Sequence, residues 1–292
     1  MSENWEPARA GEVVAGIDGS EHSMCAAEWA AAEAVARGTL LALVHATSVP
    51  GQASLENGEI VERAREQGRA LLLRALGRVH DRFPDLSVRT EISAFTPARM
   101  LSELSTTASL VVTGARGRGG FGGMQVGSVS RKLAVYAHCP LVVVRDWLPH
   151  EMLDEVVLGV EPDQEPAPIR FAFEAAARYS AALHAVRVWH PQTLYSSVPG
   201  GYCEDLAQVK LEQIGAVEEK LEPHAADHPE VKVEISTGRG NTVPVLAETA
   251  RGTRLLVVGA DRYRGPLSVG AGYVVDGLLA HAATPVAVVP IR

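Results

Sequence analysis

At 292 residues the chain has room for one large domain or two of ordinary size, and its apolar and charged fractions, 47% and 21%, are those of a water-soluble globular protein. A formal net charge of −8 excludes a general nucleic-acid or membrane-binding surface, because neither phosphate backbones nor anionic lipids attract an acidic chain. Its three cysteines, Cys25, Cys139 and Cys203, stand far apart with no CxxC pair, which argues against a disulfide framework or cysteine metal site and predicts a reduced, cytoplasmic compartment.

The opening MSENWEPARAGEVVAGID has neither the basic n-region nor the apolar h-region of a secretory signal. No run reaches the roughly 18 apolar residues expected of a membrane-spanning helix. Short apolar runs then alternate with helical patterns. Residues 13–18 (VVAGID), 40–46 (LLALVHA), 86–93 (LSVRTEIS), 110–114 (LVVTG) and 141–145 (LVVVR) predict strands. Helical spacing covers 21–37, 58–80, 97–107 behind Pro97, and 127–138. Strands alternating with helices in this way predict βαβ units, a parallel sheet with helices on both faces, and an open α/β domain of Rossmann-like type. Alanines between 26 and 36 suit close packing of the first helix on that sheet.

The whole pattern is then written a second time. EVVAGIDGS (12–20) matches EVVLGVEPD (155–163), LSELSTTASLVVTGARGRGG (101–120) matches LAETARGTRLLVVGADRYRG (246–265), and HCPLVVVRD (138–146) matches ATPVAVVPI (283–291). The second copy has strands expected near 155–161, 182–189, 230–236, 254–259 and 286–290. Two tandem five-stranded domains follow, 1–148 and 149–292, with a boundary near WLPHEMLD (147–154). Packing of the two copies as a pseudo-dimer is the expectation. The Pro-, Gly- and Ser-rich segments 47–59 and 190–205 both follow a second strand and predict loops near the strand ends.

The densest chemistry lies in VVTGARGRGGFGGMQVGSVSRK (111–132). Gly122 and Gly127 have Walker A spacing, but Ser128 stands where the lysine belongs. Gly117, Gly119 and Gly122 form a G-x-G-x-x-G, yet they follow a fourth strand and no helix opens directly after them. A third pattern, G-x2-G-x9-G-[ST], fits Gly114, Gly117, Gly127 and Ser128 without adjustment. With GIDGS ending the first strand, LVHA ending the second and GSVSRKLAVYAHCPLVVVR after the motif, the chain resembles a tandem universal stress protein of the nucleotide-binding subclass.

That resemblance implies that Gly114, Gly117, Gly127, Ser128, Val129 and Ser130 surround the triphosphate of ATP, with Mg²⁺ as its companion. It implies that Asp18 takes the nucleoside and that the backbone of Ala46 meets adenine. The residues themselves point the same way. Gly114 ends a strand, and Gly117 permits positive φ and close ligand approach. Gly127 and Ser128 open a helix whose free N–H groups favour phosphate, with the Ser128 and Ser130 hydroxyls as further donors. Arg116 and Arg118 supply positive charge, and the residues between Gly117 and Gly127 make a flap. A carboxylate at Asp18, closing the first strand at the sheet end where ligands bind, can accept hydrogen bonds from ribose hydroxyls or the adenine amine.

Plainer roles compete. Asp18-Gly19-Ser20 also reads as a turn with a helix N-cap. HAADH (224–228) offers a histidine pair without a third ligand and reads as a solvated helix end. Cys139 reads as a small buried apolar group. No catalytic residue and no metal site is assigned. At the motif's spacing the second copy presents Gly259, Arg262, Gly272 and Tyr273, with Glu161 in the place of Asp18 and Pro266 in the loop. The expectation is weak or no nucleotide binding there, unless Arg262 grips a phosphate. Nucleotide-dependent regulation of a stress response, with at most slow hydrolysis, is the function expected. A slow ATPase and a nucleotide-free dimerisation or interaction scaffold are the alternatives, and the resemblance implies a possible homodimer through LVVVR or VAVVP.

Overall fold

The computed structural model describes residues 9–47, 58–117, 126–147, 152–161, 163–189, 206–261 and 271–291. The 190–205 segment and nearly all of the 47–59 segment lie outside these residues, as do Arg118, Gly119, Gly122, Cys203, Arg262 and Pro266.

The first domain is built on apolar runs too short for helices and too continuous for one-sided strands. They form β1 (Val13–Gly16), β2 (Leu41–Ala46), β3 (Val88–Ser93), β4 (Leu110–Gly114) and β5 (Leu141–Val144). All pair in parallel in the order β3-β2-β1-β4-β5. Val13 is opposite both Leu41 and Leu110, so β1 is central and buried on both faces. The chain winds outward from β1 to β2 and β3, then returns to β4 on its other side. The order reverses between β1 and β4, the place where an open α/β sheet leaves a crevice at its carboxyl end.

Between the strands run α1 (Glu21–Arg37), α2 (Gly58–Arg82), α3 (Pro97–Leu104) and α4 (Ser128–Tyr136). Ser20 caps α1 by accepting from the Ser23 N–H, and Gly38 ends it at φ 62. Ala26, Ala27, Ala30, Ala31 and Ala34 are fully buried and let α1 lie close on β1 and β4. Arg78 and Arg82 of α2 hold Glu28 of α1, fastening the two helices on one face of the sheet. Cys139 is buried, and burial pushes its thiol up to about 12, which makes it part of the apolar core.

The second domain repeats the plan with β6 (Leu153–Gly159), α5 (Pro166–Tyr179), β7 (Ala182–Trp189), α6 (Leu206–Asp227), β8 (Val233–Arg239), α7 (Thr242–Thr249), β9 (Thr253–Asp261), α8 (Tyr273–His281) and β10 (Val286–Ile291). Its parallel order is β8-β7-β6-β9-β10. The chain thus folds as two α/β units.

Three expectations need correcting. β1 stops at Gly16, so Asp18 lies two residues past the strand rather than closing it. β8 starts at Val233, because a turn at 229–231, closed by the Val231 N–H on His228 O, precedes it. The HAADH segment is not simply a solvated end. Pro223 costs α6 one N–H without ending it, and the last turn brings the His224 and His228 rings to 6.0 and 5.9 Å from the buried Phe173 ring. Among the described residues no helix is long and apolar enough to cross a membrane.

Candidate functional site

At the reversal point a cavity of ≈ 300 Å³ opens at the carboxyl ends of β1, β2 and β4. Every described residue that the sequence singled out for the site lines it, while Arg118 lies outside the described residues. Asp18 comes from the turn after β1, Ala46 from the end of β2, and Gly114, Arg116 and Gly117 from the exit of β4. Gly127, Ser128, Val129 and Ser130 come from the start of α4. The opposite wall is apolar: Pro97, Met100 and Leu101 of α3 close it, with Leu101 pressed against Gly16. Sequence reading missed this wall and His45. The Pro97 helix start, directly after β3's carboxyl end, was the available signal.

Asp18 serves both readings made of it. Its Oδ1 accepts from the Ser20 N–H at 2.9 Å and lies 2.6 Å from Ser20 Oγ, an Asx-type turn that leads into α1. The N-cap itself is Ser20, not Asp18. Ser20 Oγ is also 3.1 Å from Arg116 O, so its one proton serves either Asp18 or the exit of β4. The other carboxylate oxygen, Oδ2, lies against Gly117, where a Cβ would stand only 2.5 Å from it.

The glycines have three different reasons to be glycine. Gly117 does not adopt the left-handed conformation expected for it; it is needed because Asp18 fills the space of a side chain. Gly114 is pressed by the first turn of α1, with a Cβ placed 2.7 Å from His22 C and 2.8 Å from Ser23 N. Gly127 has no such neighbour: its backbone is extended (φ −69, ψ 149) and a Cβ would meet nothing nearer than Ala115 O at 3.6 Å. Among the described residues no atom forces a glycine there, and Gly127 lines the cavity. The Gly127 N–H closes the loop on Ala115 O at 2.8 Å, and Ala115 N–H joins Val144 O at 2.7 Å.

Ser130 is buried and its Oγ is 3.0 Å from Gly114 O and 3.2 Å from Thr113 Oγ1. That hydroxyl braces α4 against β4, which corrects its expected role as a donor to a ligand. Ser128 is exposed and lines the cavity. The first-turn N–H groups of α4 lie outside the helix's own hydrogen-bond ladder, and with the helix dipole they give that end of the cavity a positive character. His45 Nδ1 lies 2.7 Å from Ile17 O; since a carbonyl only accepts, Nδ1 carries the proton. Among the described residues no cluster of three or more metal-ligating side chains exists.

In the second domain the same place is furnished differently. Leu183 faces Val156 as Leu41 faces Val13, which puts Arg187 in the position of His45. Arg187 Nη1 reaches Glu161 Oε2, the counterpart of Asp18, at 2.5 Å, and its Nε donates to Gln213 Oε1 at 3.1 Å. Burial pushes the Glu161 carboxyl up, and Arg187 opposes the shift. Gly272 takes φ 101 where Gly127 is extended, Tyr273 replaces Ser128 and accepts from Asn241 Nδ2 at 2.9 Å, and Val275 stands where Ser130 braces.

Comparison with known proteins agrees with the doubled architecture. The universal stress protein family pattern matches residues 11–145 and again 152–290. A universal stress protein of Mycolicibacterium smegmatis is 31% identical over 96% of this chain and 97% of its own length. One from Mycobacterium tuberculosis is 30% identical over 94% of this chain and 95% of its own. The crystal structure of a universal stress protein from Archaeoglobus fulgidus covers 97% of both chains with a TM-score of 0.68 at 13% identity, a likeness of fold. The chain belongs to the universal stress protein family, with two such domains in tandem.

Proposed function

We propose that the protein binds ATP in its first domain, with Mg²⁺ accompanying the triphosphate, and regulates a stress response through nucleotide occupancy. The observation that carries this reading is the convergence, on one cavity, of a carboxylate, a strand-end backbone and a glycine loop running into a helix N-terminus. Each fits one part of a nucleotide. The apolar wall of Met100 and Leu101 suits a base, Asp18 Oδ2 can accept from ribose hydroxyls, and the first-turn amides of α4 suit phosphate oxygens. Gly127, where no described residue crowds a Cβ, would let a phosphate approach the backbone. Mg²⁺ would be held chiefly by phosphate oxygens, the usual manner for this cation.

Binding rather than turnover is the activity proposed, since among the described residues no lysine lines the cavity. Calorimetric titration of the intact chain with Mg·ATP tests the reading. Saturable binding is expected, weakened about tenfold by Asp18→Ala, the size of effect typical of hydrogen bonds to a charged group. ATP recovered intact after incubation with excess protein supports the switch; its stoichiometric conversion to ADP makes the protein a slow hydrolase. Absence of binding rejects the proposal.

A further inference from the structure

β4 and β5 leave the sheet side by side. Gly114 is opposite Val144, and the Ala115 N–H donates to Val144 O at 2.7 Å, so residues 145 and 116 leave adjacent strand ends one step apart in register. Both are arginines. Arg116 lines the cavity; Arg145 does not and belongs to no part of the glycine motif. The two guanidiniums feel one another. Burial, followed by the charge of Arg116, holds Arg145 below the ordinary arginine value, and Asp146 opposes this only in part. Arg145 is half-buried and Arg116 exposed; like charges at adjacent strand ends repel, and a polyanion between them reverses the sign of that cost.

The second domain supplies an independent observation. Its frame is unchanged there, with Val289 opposite Gly259, but the corresponding residues are Asp261 and Pro290. The loss of both cations coincides with the change at the loop glycine, Gly272 for Gly127, and with the replacement of Ser128 by Tyr273.

We infer that Arg145, acting with Arg116, makes the first-domain site count phosphate charge, so that it prefers nucleoside triphosphates to mono- or cyclic phosphates. The inference rests on the nucleotide reading of that cavity and adds a residue and a selectivity to it. Arg145 is a specificity residue that acts by its field, in concert with the cation on the cavity wall. A bound triphosphate carries several negative charges toward the strand ends and gains from both guanidiniums, whereas a monophosphate seated on the α4 amides gains little from the second.

The test is titration of the full chain with ATP, ADP and AMP, in the wild type, Arg145→Gln and Arg145→Lys. The wild type is expected to rank ATP above ADP above AMP. Arg145→Gln is expected to weaken ATP about tenfold and AMP no more than about twofold, the scale of one charge-assisted contact. Arg145→Lys, which keeps the charge and changes the shape, is expected to retain most of the ATP-to-AMP ratio, and added salt to shrink it. A purely structural role for Arg145 predicts instead equal losses for all three ligands in both variants, and that result overturns the inference. An unchanged ratio in Arg145→Gln also overturns it while leaving nucleotide binding itself intact. A wild type that binds none of the three rejects the nucleotide reading first.

Discussion

The two domains share a sheet plan and differ in what stands beyond the strand ends. In the first, the carboxylate after β1 turns one oxygen to its own helix cap and the other toward a cavity floored by Gly117. In the second, the equivalent Glu161 is taken by Arg187, which rises from the strand position held by His45 in the first domain. A longer carboxylate and a long cation thus pair where the first domain has a short carboxylate packed against Gly117 at the cavity. Strand register, the Gly114-to-Gly127 spacing and the αL helix cap all survive in the second copy, although Gly272 takes a positive φ where Gly127 is extended. The lesson is that this fold's frame and its ligand chemistry vary independently, and that a site can be closed by ordinary ion-pair chemistry without disturbing the core.

The most damaging change should be the one that brings the second domain's residue into the first. Gly117→Arg, imitating Arg262, is expected to lower ATP affinity by at least about a hundredfold. Any Cβ there displaces the Asp18 carboxylate, an overpacking conflict of about 1–3 kcal/mol before the rest of the side chain enters the phosphate end. Calorimetry measures the loss and circular dichroism checks that the fold persists; a folded variant with native affinity would contradict the assignment of this glycine.

A smaller effect should follow from opening the second domain's ion pair. The Glu161 carboxyl is raised by burial, so the folded chain holds this proton at pH values where the unfolded chain has released it. Its contribution to stability therefore falls as pH climbs from the ordinary glutamate range through the raised value. Arg187→Ala removes the attraction that opposes this and extends the window upward. Urea unfolding should show the variant losing more stability, relative to wild type, at about pH 7 than at about pH 4. Parallel pH curves for the two proteins would mean that Arg187 does not hold Glu161 in solution.

The smallest expected effect concerns the helix caps. α1 ends on Gly38 at φ 62, whereas α5 ends on Ser180 at φ 52, the one non-glycine with positive φ among the described residues. Ser180→Gly should stabilise the chain by about 0.5–1 kcal/mol, the strain a side chain adds in this conformation less the extra freedom of glycine when unfolded. Denaturant midpoints decide it; an unchanged or lowered midpoint would show that the serine is already compensated.

Much of this arrangement was legible in the sequence because it depends on local pattern. The strand β4 and helix α1 appear where periodicity put them, and the glycine spacing led directly to the residues around the cavity. What stayed hidden depends on neighbours distant along the chain. Gly117 looked like a turn glycine because its real constraint, Asp18, lies 99 positions away and meets it only when β1 and β4 pair. Ser130 looked like a donor because its acceptor, Gly114 O, is supplied by the packing of α4 on β4. Arg187 drew no notice, since its meaning comes from the register of β7 beside β6. The run of HAADH looked solvated because nothing local shows that Phe173 of α5 waits beneath it.

The most direct test of the contrast between the domains is native mass spectrometry of the full chain titrated with Mg·ATP. The account predicts saturation at one nucleotide per chain, abolished by Gly117→Arg and unaffected by Arg187→Ala. Two nucleotides bound per chain with similar affinity, or a single one retained by the Gly117→Arg protein, would contradict it.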